Sequence, residues 1–212
     1  FRSTFVKYYN NRAQLATLVT SPSSPHYNQV LADKYMFDPL TFIDAMSGWH
    51  IPTDPEKPGR KMQLLVNSDD SARVRAARYI AACLTEYGLP TESLEYGTNT
   101  YKAVLQAGNY DIYLGQTRLP PNMDLSEFFR PWGEVRTAGF DNENLLKLCK
   151  DTLENSGATY DLLKTIADDG RIIPVLFGYH AVYAERGLFK NLNPTRDNNW
   201  IDRKSGSAGM PR

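Results

Sequence analysis

"KMQLLVNSDDSARVRAARYIAACLTEYGLPTESLEYGTNTYKAVLQAGNYDIYLG", residues 61–115, switches hydrophobic period four times. In "KMQLLVN" (61–67) the apolar residues Met62, Leu64 and Val66 fall on one face, the alternation of a strand. "SDDSARVRAARYIAACLTEYG" (68–88) then takes up helical spacing through Val74, Ala77, Ile80, Ala81, Leu84 and Tyr87. Asp69 and Asp70 suit the positive start of that helix, and Gly88 suits the position just past its end. "TESLEYG" (91–97) reads as a second strand. "NTYKAVLQAGN" (99–109) reads as a helix with Tyr101, Val104 and Leu105 inward and Gly108 at its end, and "YDIYLG" (110–115) as a third strand. Short links between these elements require right-handed crossovers, hence a mainly parallel sheet with βαβ units and helices on both faces.

Outward from this nucleus the pattern weakens. Residues 1–60 read as irregular or helical: a helix over 10–19, a loop at "TSPSSPHYN" (20–28), a short helix in "FDPLTFIDAMSGW" (37–49) and a Pro-rich connector at 51–61. In the short helix Asp38 is the expected cap, Pro39 the first helical residue, and Phe42, Ile43 and Met46 the apolar stripe before Gly48. On the other side, helices are expected over 142–156 and 159–170, then one or two strands in "RIIPVLFGYHAVYAE" (171–185), where Pro174 implies an edge or a bulge. Residues 61–190 thus form the α/β lobe, and 191–212 a tail whose end, "RKSGSAGMPR", has the composition of a disordered terminus.

The 212 residues carry formally zero net charge, so nucleic acid is not an expected partner; a backbone binder needs an excess of Lys and Arg. No apolar run approaches the roughly 20 residues that span a bilayer. With neither an initiating Met nor a secretory signal at Phe1, the chain is expected to be a processed or excised piece. Cys83 and Cys149 fall in helical segments among apolar neighbours and read as small hydrophobes, which leaves the compartment open.

No enzyme motif stands out. Gly88, Gly97, Gly108 and Gly115 lie singly at element ends, as turn glycines do, and do not form a phosphate loop. His26, His50 and His180 have no metal-ligand spacing, and nothing resembles a nucleophile elbow. No catalysis and no cofactor are expected. The stretch after the third strand, "GQTRLPPNMDLSEFF" (115–129), is more informative. Ligands of open α/β sheets bind beyond the carboxyl ends of the strands, where Gln116, Thr117 and Arg118 emerge. Pro120 and Pro121 stiffen the exit, and Asp124 is expected to cap a helix carrying Phe128 and Phe129. Trp132 and Phe140 place large rings in loops. Such a set fits a pocket with apolar walls and few polar anchors, and equally an ordinary loop with half-buried aromatics.

In ordered combination, residues 30–190 resemble the second lobe of family 5 extracellular solute-binding proteins, the oligopeptide, dipeptide and nickel receptors of ABC importers. The resemblance runs through "YMFDPLTFIDAMSGW", the nucleus from Leu64 to Gly115, "MDLSEFF" (123–129), "AGFDNENLLKL" (138–148) and "IIPVLFGYHAVYAE". It implies a periplasmic-binding-protein-like α/β lobe and capture of a peptide or other small solute by hinge closure. The implied partners are ABC permease subunits and a first lobe that this segment lacks. The implied location is extracytoplasmic, with a lipid anchor at the N-terminus of the whole protein. The implied jaw is Gln116, Arg118, Asn122, Asp124, Trp132 and Phe140. Peptide receptors of the family carry a Trp and, three residues on, an Asp that pairs with the peptide amino group. Here Gln116 stands at the Trp position and no acid follows until Asp124, so Arg118 suits a carboxylate or other anion, and equally a solvated surface charge. Without the resemblance, the same loop would suit a stand-alone α/β protein-interaction module.

Overall fold

The computed structural model describes residues 3–36, 38–47, 59–120, 122–130 and 143–179. Phe1–Phe177 make one compact unit and Gly178–Arg212 a second, of which only the first two residues are described.

The nucleus forms as its periodicity requires. Strand β2 (Met62–Asn67) lies between β3 (Thr91–Tyr96) and β4 (Ile112–Leu114), and both ladders are parallel. Leu64, Leu65 and Val66 are buried to within 1% of full coverage, as the centre strand of a parallel sheet must be. Helix α4 (Ser71–Glu86) connects β2 to β3 and lays Val74, Ala77 and Ile80 on Leu64, Val66, Ile112 and Leu114. Helix α5 (Thr98–Ala107) connects β3 to β4 and runs back past β2. Since the two crossovers run in opposite directions, right-handedness puts α4 and α5 on opposite faces. Leu65 and Tyr113 share the α5 face, and Tyr113 feels the hydroxyl of Tyr101 on α5.

Local chemistry sets the ends. Asp70 caps α4 by accepting from the amides of Ala72 (2.9 Å) and Arg73 (3.1 Å). At its other end Gly88, with φ +92°, lets the Leu89 amide reach back to the Leu84 carbonyl at 2.8 Å. The start of β4 is locked to β2, because Asp111 accepts from Gln63 N at 2.8 Å and pairs with Arg60 at 2.6 Å. Arg78 of α4 holds Glu95 of β3 through two bonds, of 2.7 and 2.8 Å.

A second core is helical. α6 (Glu143–Glu154) contributes Leu145 and Cys149, and α7 (Thr159–Asp169) contributes Leu162, Leu163 and Ile166. Leu18, Val19, Leu125, Phe129 and two residues of α2 (Gln29–Lys34), Leu31 and Ala32, complete it. α3 (Pro39–Met46) is capped by Asp38 with Pro39 at its start, as its sequence predicts, and Phe42 meets Tyr87 edge to face. Its stripe is not core, however, since no α3 residue is buried.

The expected helix over 10–19 does not form. Helix α1 (Ser3–Tyr8) ends in two consecutive left-handed residues, Asn10 (φ +53°) and Asn11 (φ +57°), which no right-handed helix accommodates. The chain then enters β1 (Ala13–Leu15), which pairs with β5 (Leu176–Gly178). α1 packs Phe5 against Tyr79 on the outer side of α4, edge to face at 5.6 Å. The 171–185 segment thus contributes one strand among the described residues, preceded by Pro174. Residues 180–185, and the expected tail, lie outside them.

Candidate functional site

Strand order β3-β2-β4 reverses direction between β2 and β4, and sheets of this kind open a crevice beyond the carboxyl ends of such a strand pair. Val66 partners Leu114, which brings the two strands to an end level with one another. The chain leaves β2 through Asn67–Asp70 and leaves β4 through Gly115–Arg118. Gly115 is required there because a Cβ would lie 2.6 Å from Cε2 of Tyr113. Burial pushes the Tyr113 hydroxyl up to about 12, with Tyr101 and Tyr110 adding to the effect, so the ring stays neutral in its packed position.

The β2 side of the crevice is a closed polar network. Asn67 Nδ2 donates to Thr98 Oγ1 at 3.0 Å, and Asn67 Oδ1 accepts from the amide of Asp69 at 2.9 Å. Asp69 accepts from the amide of Thr98 at 3.0 Å and from its hydroxyl at 2.5 Å, bonds that hold its carboxyl below the usual range. Burial works to raise the Asp70 carboxyl, but its bonds from Arg73 and Ala72 outweigh this and leave it lowered. Two helix starts therefore converge here with both positive ends already answered by aspartates. An anion such as a phosphate finds no vacant helix terminus. The sequence predicts both acids at the α4 start; the structure gives one to each helix.

The β4 side is open. The loop is tied at Leu114 into the sheet core and at Leu119 and Leu125 into the helical core. Between these anchors Gln116 and Arg118 are exposed, while Thr117 and Leu119 are half-buried, so an amide and a guanidinium project outward together. A turn closes from the Met123 amide to the Pro120 carbonyl at 3.0 Å, and Met123 takes a left-handed φ of +57°. Asn122 is exposed and its Oδ1 accepts from the Asp124 amide at 3.3 Å. Asp124 is half-buried, with one oxygen accepting from Ser126 N at 2.9 Å. The expected helix after Asp124 is a single 3-10 turn, Ser126–Phe128, because Phe129 is drawn wholly into the core. Of the six expected jaw residues, Gln116, Arg118, Asn122 and Asp124 thus share one loop. Trp132 and Phe140, like Pro121, lie outside the described residues.

A cleft of about 140 Å³ lies elsewhere, between Leu18, Val19, Tyr35, Leu163, Ile166 and Pro174. It is smaller than the roughly 300 Å³ at which ligand pockets begin, and no residue of the 115–124 loop lines it. No helix among the described residues is long and apolar enough to cross a membrane.

Across 84% of its length this chain superposes, with a TM-score of 0.68 and 16% identity, on 39% of a periplasmic oligopeptide-binding protein from Thermotoga maritima. The chain has the fold of ABC transporter substrate-binding proteins. The substrate-binding protein CtaP from Listeria monocytogenes matches with a TM-score of 0.67 at 15% identity, over 84% of this chain and 38% of its own. NikA from Brucella suis, solved with Fe(III)-EDTA, matches with a TM-score of 0.66 at 14% identity, over 84% and 40%. No protein-family model and no curated protein sequence matches. At these identities what is shared is the fold, and the chain spans under half the length of the solved chains it matches. The α/β class, the parallel sheet and the resemblance drawn from residues 30–190 all agree with these structures.

Proposed function

We propose that this chain is one lobe of the substrate-binding component of an ABC importer. It captures a peptide or other small solute by closing with a second lobe and delivers it to permease subunits, without chemistry on the ligand. The protein works outside the cytoplasmic membrane, held there by a lipid anchor at the N-terminus of the whole chain. Its jaw is the loop that carries Gln116, Arg118, Asn122 and Asp124, extended by Trp132 and Phe140.

The observation that supports this reading is the coincidence of two facts. The fold is that of substrate-binding proteins, and Gln116, Arg118 and Asn122 are polar and exposed on a loop beyond the strand ends, where such a sheet offers a ligand its crevice. A loop pre-set by a proline, a closed turn and two core anchors loses little freedom on binding.

The test is calorimetric titration of the full-length protein with a mixed tri- to pentapeptide library, paired with small-angle scattering. Saturable binding together with a fall in radius of gyration is expected. Heat of binding without compaction would remove hinge closure, and no binding to any pool would remove the receptor reading.

A further inference from the structure

We propose that the apolar cleft between α7 and residues 172–174 is a second binding site, one that takes a free, uncharged molecule of a single ring bearing one hydrogen-bonding group. It is separate from the jaw, since no residue of the 115–124 loop lines it. Its floor is core. Leu18, Val19, Leu163 and Ile166 are no more than 7% exposed, yet all four line the open space. Ala167, Ile172 and Pro174 are half-buried walls, and Ile173, 71% exposed, stands at the mouth.

The lining selects against charge. It includes no carboxylate, ammonium, guanidinium or imidazole. The charges at the end of α7 answer one another: Lys164 donates to Asp168 at 2.5 Å, and Arg171 to Asp169 at 2.8 Å. Tyr35 donates its hydroxyl to Asp168, which ties its ring in place as a wall. One polar side chain is left over. The Thr17 hydroxyl lines the cleft, half-buried, and has no hydrogen-bond partner among the described residues. A single unanswered hydroxyl among apolar walls fits a single polar atom on the occupant.

Size narrows the class further. At about 140 Å³ the cleft is too small for a peptide, but it matches the roughly 150 Å³ apolar cavities that take a benzene-sized molecule. Water is a poor occupant here, because it needs two to four polar partners and the lining side chains leave one free. A ring would gain dispersion contacts with walls that water leaves unsatisfied.

The test uses the full-length protein and ligand-observed NMR titration with four probes: phenol, toluene, benzoate and N-acetylphenylalaninamide. Phenol should saturate with a Kd of about 1 mM or below. Toluene should bind more weakly, and benzoate should not bind. Thr17→Val should weaken phenol about three- to tenfold and leave toluene unchanged. Ala167→Phe, which fills the cleft, should abolish binding of both, and the smaller Ala167→Leu should give a partial loss. Circular dichroism checks that each variant folds, and Ala167→Leu decides the matter if Ala167→Phe does not fold. Absence of saturable phenol binding, or binding that survives the Ala167 substitutions, would overturn the site. Benzoate binding as tight as that of phenol would overturn the uncharged class. N-acetylphenylalaninamide binding as tightly would assign the cleft to a ring carried on a polypeptide and overturn the free molecule. None of these outcomes bears on the jaw, whose peptide binding is measured separately.

Discussion

Asp69 caps a helix that is not its own: it sits on the loop into α4, yet its carboxylate receives the amide and hydroxyl of Thr98 at the start of α5. The residue before Thr98 is Gly97, which has no side chain to offer as a cap. One loop therefore supplies both helices, Asp70 in sequence and Asp69 across the sheet edge.

Asp69→Ala should lower the melting temperature at neutral pH, and the deficit should shrink in acid. The bonds from Thr98 depress the Asp69 carboxyl in the folded state. Its contribution is thus complete above the unfolded value near 3.8 and fades as pH falls through the lowered folded value. Thermal melts of both proteins at pH 7 and at about pH 3 read this directly. A deficit equal at both pH values would mean that the carboxylate charge contributes nothing.

Gly115→Ala should destabilise by about 1–3 kcal/mol, the cost of overpacking a filled site. The added Cβ would sit 2.6 Å from the Tyr113 ring, which meets Tyr110 edge to face at 5.6 Å. Chemical denaturation measures the change. A Tyr113→Ala background should remove most of the penalty, and the double-mutant cycle isolates the contact.

Cys149 should resist alkylation in the folded protein at pH 8 and react once unfolded. It is completely buried, and burial, with Asp124 adding to it, pushes its thiol up to about 12. The raised value has a second consequence. The neutral thiol stabilises the fold fully below its ordinary 9.0, and that contribution drains away as pH climbs towards 12. Tyr113 behaves alike from its ordinary 10.0, so stability should fall off above about pH 9. Timed alkylation with mass detection, and melts from pH 8 to 11, check both points.

Phe129→Ala should cost about 3–5 kcal/mol, since a large, fully buried ring leaves a cavity between the loop and α6 and α7. Phe128→Ala, at a half-buried position beside it, should cost less. The order of the two in urea denaturation tests whether the loop is pinned by Phe129.

The nucleus was legible in residues 61–115 because local signals there agree with tertiary ones. β2 and β4 read as short apolar runs, α4 opens on Asp69 and Asp70, and Gly88, Gly97, Gly108 and Gly115 mark ends. The N-terminal segment was not, because Asn10 and Asn11 read as neutral helix residues until their left-handed dihedrals are seen. That the 115–129 loop leaves the sheet beyond the carboxyl end of the third strand was legible from the order of elements. Its internal bonding was not. Nothing in "DLSEFF" announces that Phe129 would be buried completely and shorten a helix to one turn. One signal was available but ambiguous. Two adjacent aspartates are one more than a single helix start needs, and the spare one went to Thr98.

The peptide bond after Arg118 is of the kind trypsin cuts, and its arginine is exposed. A protease must draw several residues on both sides of the bond into an extended strand, yet here one side abuts the Tyr113 ring and the other packs half-buried Leu119 against the helical core. Cleavage at that bond must wait for one of the two cores to release its end, so the nicking rate tracks how often that happens. A chain that binds at this loop should protect itself from digestion in proportion to occupancy, which makes the susceptibility of one bond a gauge of whether the jaw is filled.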